Sequence, residues 1–216
     1  MLDKSIADLR ISYTKSTLSE NEVSKNPFDF FKKWFDEAIT AEVYETNAMV
    51  LSTVDKNGMP HSRIVLLKSV EVNGFVFFTN YNSHKGKNIE ENNNVSLLFF
   101  WKELERQVRV EGTVSKISTL ASENYFYSRP IESQLGAIAS QQSEKIESRE
   151  KLETQYNLAQ EKYTNGNKIM MPNHWGGYNV EPTSIEFWQG RESRLHDRIL
   201  YSKDENNGWE ICRLQP

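Results

Sequence analysis

"AMVLSTVDKNGMPHSRIVLLKSVEVNGFVFFTN", residues 48–80, contains three apolar runs separated by two short polar breaks. The runs AMVLSTV, SRIVLLKSVEV and GFVFFTN are rich in β-branched and aromatic residues, and the breaks DKNG and VNG each end in Asn-Gly. Asn-Gly pairs supply the positive φ that tight hairpin turns require, so this spacing predicts a β-meander. Further along, VSLLFFW and RQVRVEGTVSKI add strands, and SIEFWQG, LHDRILYSK and GWEICRL form a final set. Repeated short strands at hairpin spacing predict a barrel or a strongly curled antiparallel sheet.

Helical patterns flank the strands. In NPFDFFKKWFDEAITAEV, Phe31, Trp34, Phe35 and Ala38 fall at i, i+3, i+4 and i+7 behind Pro27, the pattern of an amphipathic helix with proline just inside its start. STLASENYFYSRP predicts a helix that stops before Pro130, and SEKIESREKLETQYNLAQEKYTNG a polar helix opened by Ser143 and closed by Asn-Gly. KIMMPNHWGGY is predicted to be a loop. The fold class expected is therefore mainly β with flanking helices (α+β). Residues 1–26 are polar without a sustained period and predict a flexible arm, ordered only where something holds it; residues 27–216 are expected to form a single domain.

Composition narrows the function classes. With 38% hydrophobic, 26% charged and 12% aromatic residues, the chain has the make-up of a folded globular protein. A formal charge of −4 argues against a protein that coats nucleic acid, so any anion site must be local. No run approaches bilayer length, so no membrane partner is expected and the expected location is cytoplasmic. The single cysteine, Cys212, excludes an intrachain disulfide and fits a reducing compartment. His61, His84, His174 and His196 lack metal-ligand spacing, so no metal site is expected. Hydrolase and nucleotide-triphosphatase readings lack their G-x-S-x-G, G-x-G-x-x-G or Walker signatures.

Cations and hydroxyls on short strands and helix ends remain as candidates. In RIVLLK, a period of two puts Arg63 and Lys68 on opposite faces, which suits two anions or one extended ligand better than one small anion. Ser83, His84 and Lys85 follow a strand at a turn, where hydroxyl, imidazole and ammonium can converge on a phosphate; a solvated loop is the plain alternative. Tyr125 and Arg129 are i, i+4 neighbours and Ser133 follows the Pro130 break, together a guanidinium fork with two hydroxyls, or simply a surface Tyr–Arg stack. In EFWQGRESRLHDRIL, residues 186–200, strand period two puts Arg194, His196 and Arg198 on one face, which needs a facing anion, an electron-rich ring, or acidic groups from elsewhere. Trp188 can stack on a flat ligand or fill the core.

Taken together, SRIVLLK, LERQVRVEG, YFYSRPIESQLGA, HWGGY and EFWQGRESRLHDR resemble, in order and spacing, the pyridoxamine 5'-phosphate (pyridoxine 5'-phosphate) oxidase family, from about Arg10 to the C-terminus. The resemblance implies an FMN-binding split β-barrel working as a homodimer with flavin at the interface. It implies FMN contacts from Arg63, Ile64, Val65, Leu66, Leu67, Lys68, Phe78, Thr79, His84, Lys85, Gln107, Gln142, Ser143, Trp188 and Arg198. The substrate phosphate would lie against Lys68, Tyr125, Arg129 and Ser133. Arg194 and His196 would face the pyridine ring as the catalytic pair, and Arg10 and Tyr13 match arm positions that fold over the site. One departure is His84, where many members carry Arg, which implies a more pH-sensitive FMN affinity. The implied reaction oxidises pyridoxamine or pyridoxine 5'-phosphate to pyridoxal 5'-phosphate, with hydride passing from C4' to flavin N5. Oxygen then becomes H2O2, and the amine also yields NH3, in the last step of vitamin B6 salvage. A split-barrel flavin reductase using a nicotinamide donor need not carry the Tyr125, Arg129 and Ser133 group, and a non-catalytic carrier of FMN or pyridoxal phosphate would show no substrate-dependent oxygen uptake.

Overall fold

A computed structural model describes residues 5, 6, 9, 11–164 and 168–216. They gather into two compact units, one drawn from Met1–Met49, Leu97–Glu111 and Thr183–Pro216, the other from Val50–Ser96 and Gly112–Pro182. The strands are β1 (Ala48–Val54), β2 (Pro60–Leu66), β3 (Ser69–Val70), β4 (Phe75–Asn80), β5 (Asn94–Trp101), β6 (Arg106–Lys116), β7 (Trp175–Gln189), β8 (Asp197–Lys203) and β9 (Trp209–Arg213). They form one sheet in the order β2-β1-β5-β6-β7-β4-β3, with β8 paired to β7 and β9 to β8. The β3–β4, β4–β7, β7–β8 and β8–β9 pairings are antiparallel. The helices are α1 (Pro27–Thr40), α2 (His84–Glu91), α3 (Thr119–Ser128), α4 (Ile131–Ala139) and α5 (Arg149–Thr164). Among the described residues no helix is long and apolar enough to cross a membrane.

In the first unit, α1 starts where expected. The Asn26 side chain accepts from Phe28 N–H at 2.9 Å and Pro27 occupies the first turn, where its missing N–H costs nothing. Its buried face is broader than the period alone indicates, since Phe28 and Phe30 join Phe31, Trp34 and Ala38 while Phe35 is only half-buried. Phe30 and Trp34 meet Phe187 at 4.6 and 5.3 Å, and Phe31 meets Phe99 at 5.1 Å, all edge-to-face. Each such buried ring contributes roughly 1.5–3 kcal/mol, so this aromatic layer anchors the helix.

In the second unit, the Asp55–Gly58 turn behaves as predicted, with Gly58 at φ +82 and Asp55 Oδ1 accepting from Asn57 and Met59 N–H. The Asn73–Gly74 turn closes instead by Glu71 N–H donating to Gly74 O at 2.8 Å, without a left-handed glycine. SRIVLLKSVEV is not one strand: β2 ends at Leu66 and pairing resumes in β3. Between them Leu67 is buried and Lys68 N–H donates to Val76 O at 2.8 Å. WGGY, expected in a loop, opens β7.

Two helix expectations need correction. Pro130 ends α3 by holding Arg129 extended, but it also caps a new helix, α4, because proline without an N–H suits a helix entrance. Ser143 does not open α5; it sits at φ +74, and the helix starts at Arg149 behind Ser148, whose hydroxyl accepts from Lys151 N–H at 3.2 Å. The strand reading of residues 194–196 also fails. Ser193 and Arg194 are left-handed, at φ 56 and φ 62, in a 3-10 turn, and β8 begins only at Asp197, so period two does not relate Arg194, His196 and Arg198.

Candidate active site

The second unit contains a cavity of about 690 Å³ built around the end of β4. After Asn80 the chain turns into α2, whose cap Ser83 donates its hydroxyl to Asn80 O at 2.6 Å and accepts from Gly86 N–H. This tight entry folds Lys85 back into the protein, 9% exposed. Its Nζ donates to Gln142 Oε1 at 2.7 Å, Thr79 Oγ1 at 3.2 Å and Ser83 Oγ at 3.3 Å. Burial, and after it the charge of Arg63, lower the Lys85 ammonium to about 8. Arg63 is held in turn by Leu51 O at 3.1 Å and Thr53 Oγ1 at 2.8 Å, and burial lowers its pKa also.

An aromatic stack forms a second part of the wall. Phe78 lies 3.9 Å from Tyr125 and 5.4 Å from Trp175, with the three rings nearly parallel. The Arg129 guanidinium covers Trp175 at 4.8 Å. Its Nη1 is buried with no hydrogen-bond partner, and burial lowers its pKa. A buried guanidinium N–H without an acceptor is costly, and an anionic oxygen is the group that would satisfy it. Ser133, in the first turn of α4 beyond Pro130, lines the same cavity.

Of the residues implicated by sequence, Arg63, Ile64, Val65, Leu66, Lys68, Phe78, Thr79, Lys85, Tyr125, Arg129, Ser133 and Gln142 all line this cavity. Arg63 and Lys68 reach it together because the chain leaves the ladder after Leu66, which removes the opposite-face constraint of a continuous strand. Among the described residues the lining includes four cations, Arg63, Lys68, Lys85 and Arg129, and no carboxylate. Trp175 is a wall residue that the sequence reading does not single out; its signal is HWGGY, a motif of the resemblance that carries no assigned role. Leu67 is core, Ser143 is exposed beside Gln142, and exposed His84 packs its ring 4.5 Å from that of His61, which faces Asp55 at 3.3 Å. These three do not line the cavity.

Tyr13, Gln107, Trp188, Arg194, His196 and Arg198 belong to the first unit, and Arg10 lies outside the described residues. His196 lies 4.6 Å from Trp188 and 5.9 Å from Tyr13, ring to ring. Its Nδ1 accepts from Arg191 N–H at 3.1 Å, which leaves the proton of a neutral imidazole on Nε2. Burial, then the charge of Arg194, hold its pKa below the ordinary value against the pull of Asp197. Arg194 itself is exposed, and Gln107 is half-buried on β6. Arg198 donates to both oxygens of Glu186, at 2.7 and 3.0 Å, and to Gln215 O at 2.9 Å. Buried Glu186, which also accepts from Arg109 at 2.7 Å, is therefore the acid from elsewhere that answers part of the positive charge of this segment.

Comparison with known proteins identifies the family. The family model for pyridoxamine 5'-phosphate oxidase matches residues 35–162, and that for the pyridoxine 5'-phosphate oxidase C-terminal dimerisation region matches residues 175–216. The pyridoxine/pyridoxamine 5'-phosphate oxidase of Leptospira interrogans is 52% identical over 215 residues, covering 100% of both chains. That of Nostoc punctiforme is 55% identical over 215 residues, again covering 100% of both. Among solved structures, PhzG from Burkholderia lata 383 in complex with tetrahydrophenazine-1-carboxylic acid is 28% identical with a TM-score of 0.85, covering 91% of this chain and 95% of that one. A pyridoxamine 5'-phosphate oxidase-related FMN-binding protein from Nostoc punctiforme, 16% identical with a TM-score of 0.70 over 90% of this chain and all of its own, shares the fold. The mainly β architecture, with five α-helices among the described residues, is thus the split β-barrel expected from the resemblance. With more than half of its residues shared end to end with enzymes of this name, the chain belongs to the pyridoxamine 5'-phosphate oxidase family of oxidoreductases.

Proposed function

We propose that the protein oxidises pyridoxamine 5'-phosphate and pyridoxine 5'-phosphate to pyridoxal 5'-phosphate. FMN is the proposed cofactor and O2 the acceptor, with H2O2 as product and NH3 released from the amine, as the last step of vitamin B6 salvage. The observation that carries this reading is a cavity with four cations, no carboxylate among its described lining residues, and a stacked aromatic wall. That donor set suits phosphorylated, planar molecules. Bound FMN supplies the two-electron acceptor and the reaction with oxygen.

The protein's part is placement. Lys85, Thr79 and Gln142 form a hydrogen-bonded group, with the Arg63 charge beside Lys85, suited to hold the flavin, with His84, Gln107, Ser143, Trp188, Arg198 and the 64–67 segment as further contacts. Lys68, Tyr125, Arg129 and Ser133 are the substrate-phosphate group, and remote phosphate binding supplies energy that fixes the reacting carbon in place. Arg194 and His196 orient the pyridine ring, His196 with its Nε2–H as donor. The proposed assembly is a homodimer with FMN at the interface, supported by the match of residues 175–216 to a dimerisation region. A cytoplasmic location accords with the lone exposed thiol of Cys212.

Flavin-loaded protein given pyridoxamine 5'-phosphate under air is expected to form pyridoxal 5'-phosphate with matching oxygen uptake. A yellow protein that consumes no oxygen is a carrier, and one that turns over only with a reduced nicotinamide is a reductase; either result ends this reading. Within it, Arg194→Ala is expected to lower kcat by roughly ten- to a hundredfold, the worth of one charge-assisted hydrogen bond, with FMN content unchanged. Turnover within twofold of the parent would remove Arg194 from the catalytic pair.

A further inference from the structure

Glu105 is 6% exposed and ends a 3-10 turn in the left-handed conformation, at φ 54. Its Oε2 accepts from two consecutive main-chain N–H groups of the N-terminal segment, Thr14 at 2.8 Å and Lys15 at 3.0 Å. Its own carbonyl accepts from Gly190 N–H at 2.8 Å. One residue therefore grips the N-terminal segment with its side chain and the residue following β7 with its main chain. The cations nearby are otherwise engaged: Lys15 Nζ donates to Glu103 O, and Arg106 pairs with Glu37 and Gln189.

Tyr13 stands one residue before the grip. Its ring meets Trp188 edge-on at 5.7 Å and His196 at 5.9 Å. A Cβ on Gly190 would come within 2.8 Å of Tyr13 Cγ and 2.9 Å of Tyr13 Cβ, so the absence of a side chain at 190 is what admits the ring. Further along, Leu18 N–H donates to Asp197 Oδ2 at 3.1 Å and Leu18 O accepts from Arg213 at 2.9 Å, which holds the other end of the segment. A buried carboxylate is costly unless donors surround it, so the two amides of the segment are part of what keeps Glu105 in place, and Glu105 of what keeps the segment in place.

We propose that Glu105 is a positioning residue that docks the segment beginning at Tyr13, so that the Tyr13 ring backs the His196 imidazole. The consequence for turnover rests on the proposed role of His196 toward substrate; the docking itself does not. The test uses flavin-loaded Glu105→Ala, Glu105→Gln, which keeps an acceptor oxygen, and Gly190→Ala, which crowds Tyr13 without altering the Glu105 side chain. Tryptic cleavage of the Lys15–Ser16 bond under native conditions is expected to run at least about tenfold faster in Glu105→Ala and within about threefold of the parent in Glu105→Gln. The KM for pyridoxamine 5'-phosphate is expected to rise about five- to tenfold in Glu105→Ala and Gly190→Ala, with kcat changed less than about twofold and the Gln variant near the parent.

Unchanged cleavage in Glu105→Ala overturns the docking whatever the substrate is. Faster cleavage with unchanged KM overturns the positioning role. If Glu105→Ala does not fold, Gly190→Ala decides, and a parental KM in that variant is the refuting result. If the parent protein fails to oxidise pyridoxamine 5'-phosphate, the functional reading fails by itself, while the cleavage series still decides for or against the docking.

Discussion

Replacing Arg129 with alanine is expected to lower kcat/KM for pyridoxamine 5'-phosphate by about 10²–10³-fold, with FMN still bound. The guanidinium lies over Trp175 and lines the cavity with its Nη1 buried and unpartnered. An unsatisfied buried donor destabilises the free protein, and a phosphate oxygen turns that cost into a charge-assisted bond of about 1.5–3 kcal/mol. Two such bonds from the planar fork, each near the lower end of that range, give about 3–4 kcal/mol, hence the size of the effect. The free protein gains little from a half-buried guanidinium with one unsatisfied buried nitrogen beyond its packing on Trp175 and Phe126, so the variant's melting temperature without substrate should not fall by more than a few degrees. Arg129→Lys should recover only part of the activity, because an ammonium restores charge but not the fork. Steady-state kinetics on flavin-loaded variants, with a thermal melt of each, checks all three expectations. A kcat/KM for Arg129→Ala within threefold of the parent would show that substrate phosphate binds elsewhere.

The residues of this cavity are legible in the sequence because several lie on short, strongly signalled elements. One Asn-Gly break precedes the strand of Arg63 and another that of Phe78, and the Ser83 turn marks where the chain leaves β4 for α2, which carries Lys85. Strand periodicity does not show where a strand stops. Arg63 and Lys68 look opposed only if Leu67 and Lys68 are counted as strand, and Arg194 and Arg198 look aligned only because a left-handed turn at Ser193 and Arg194 has no signature in the residue types that form it. The pairing of Arg198 with Glu186 depends on the β7–β8 register, which sets Trp188 opposite Arg198 and so brings Glu186 to the diagonal position on the same face. Register is a tertiary fact, invisible to a count along one strand. Pro130 shows the same limit at a helix end: the residue that terminates α3 also opens α4, and the stop signal alone conceals the start. The hold on the N-terminal segment is equally out of reach, since Glu105 and Asp197 lie far along the chain from the amides that they accept.

Lys85 carries the other large expected effect, with a pH signature that separates it from a simple loss of contact. Its ammonium is lowered from 10.5 to about 8 by burial and then by Arg63. The folded protein without flavin therefore binds fewer protons than the unfolded chain between about pH 8 and 10.5, so its stability rises with pH across that window relative to Lys85→Met. Flavin affinity should move the opposite way. A phosphate dianion favours the protonated amine, so above about pH 8 binding must take up a proton and the Kd for FMN should weaken by up to about tenfold per pH unit. Lys85→Met fills a similar length with apolar atoms and leaves Gln142, Thr79 and Ser83 without their shared donor. We expect its Kd at pH 7 to be weaker by about 10²-fold, the 2–3 kcal/mol of a buried charged hydrogen bond, and nearly flat from pH 7 to 9.5. Fluorescence titration of FMN into flavin-free parent and variant at several pH values gives both numbers. The opposing slopes are diagnostic, because a lysine that merely braced the end of β4 would lower affinity without tying it to a proton. Parallel pH profiles in parent and Met variant would assign the phosphate to Arg63 and leave Lys85 a structural role.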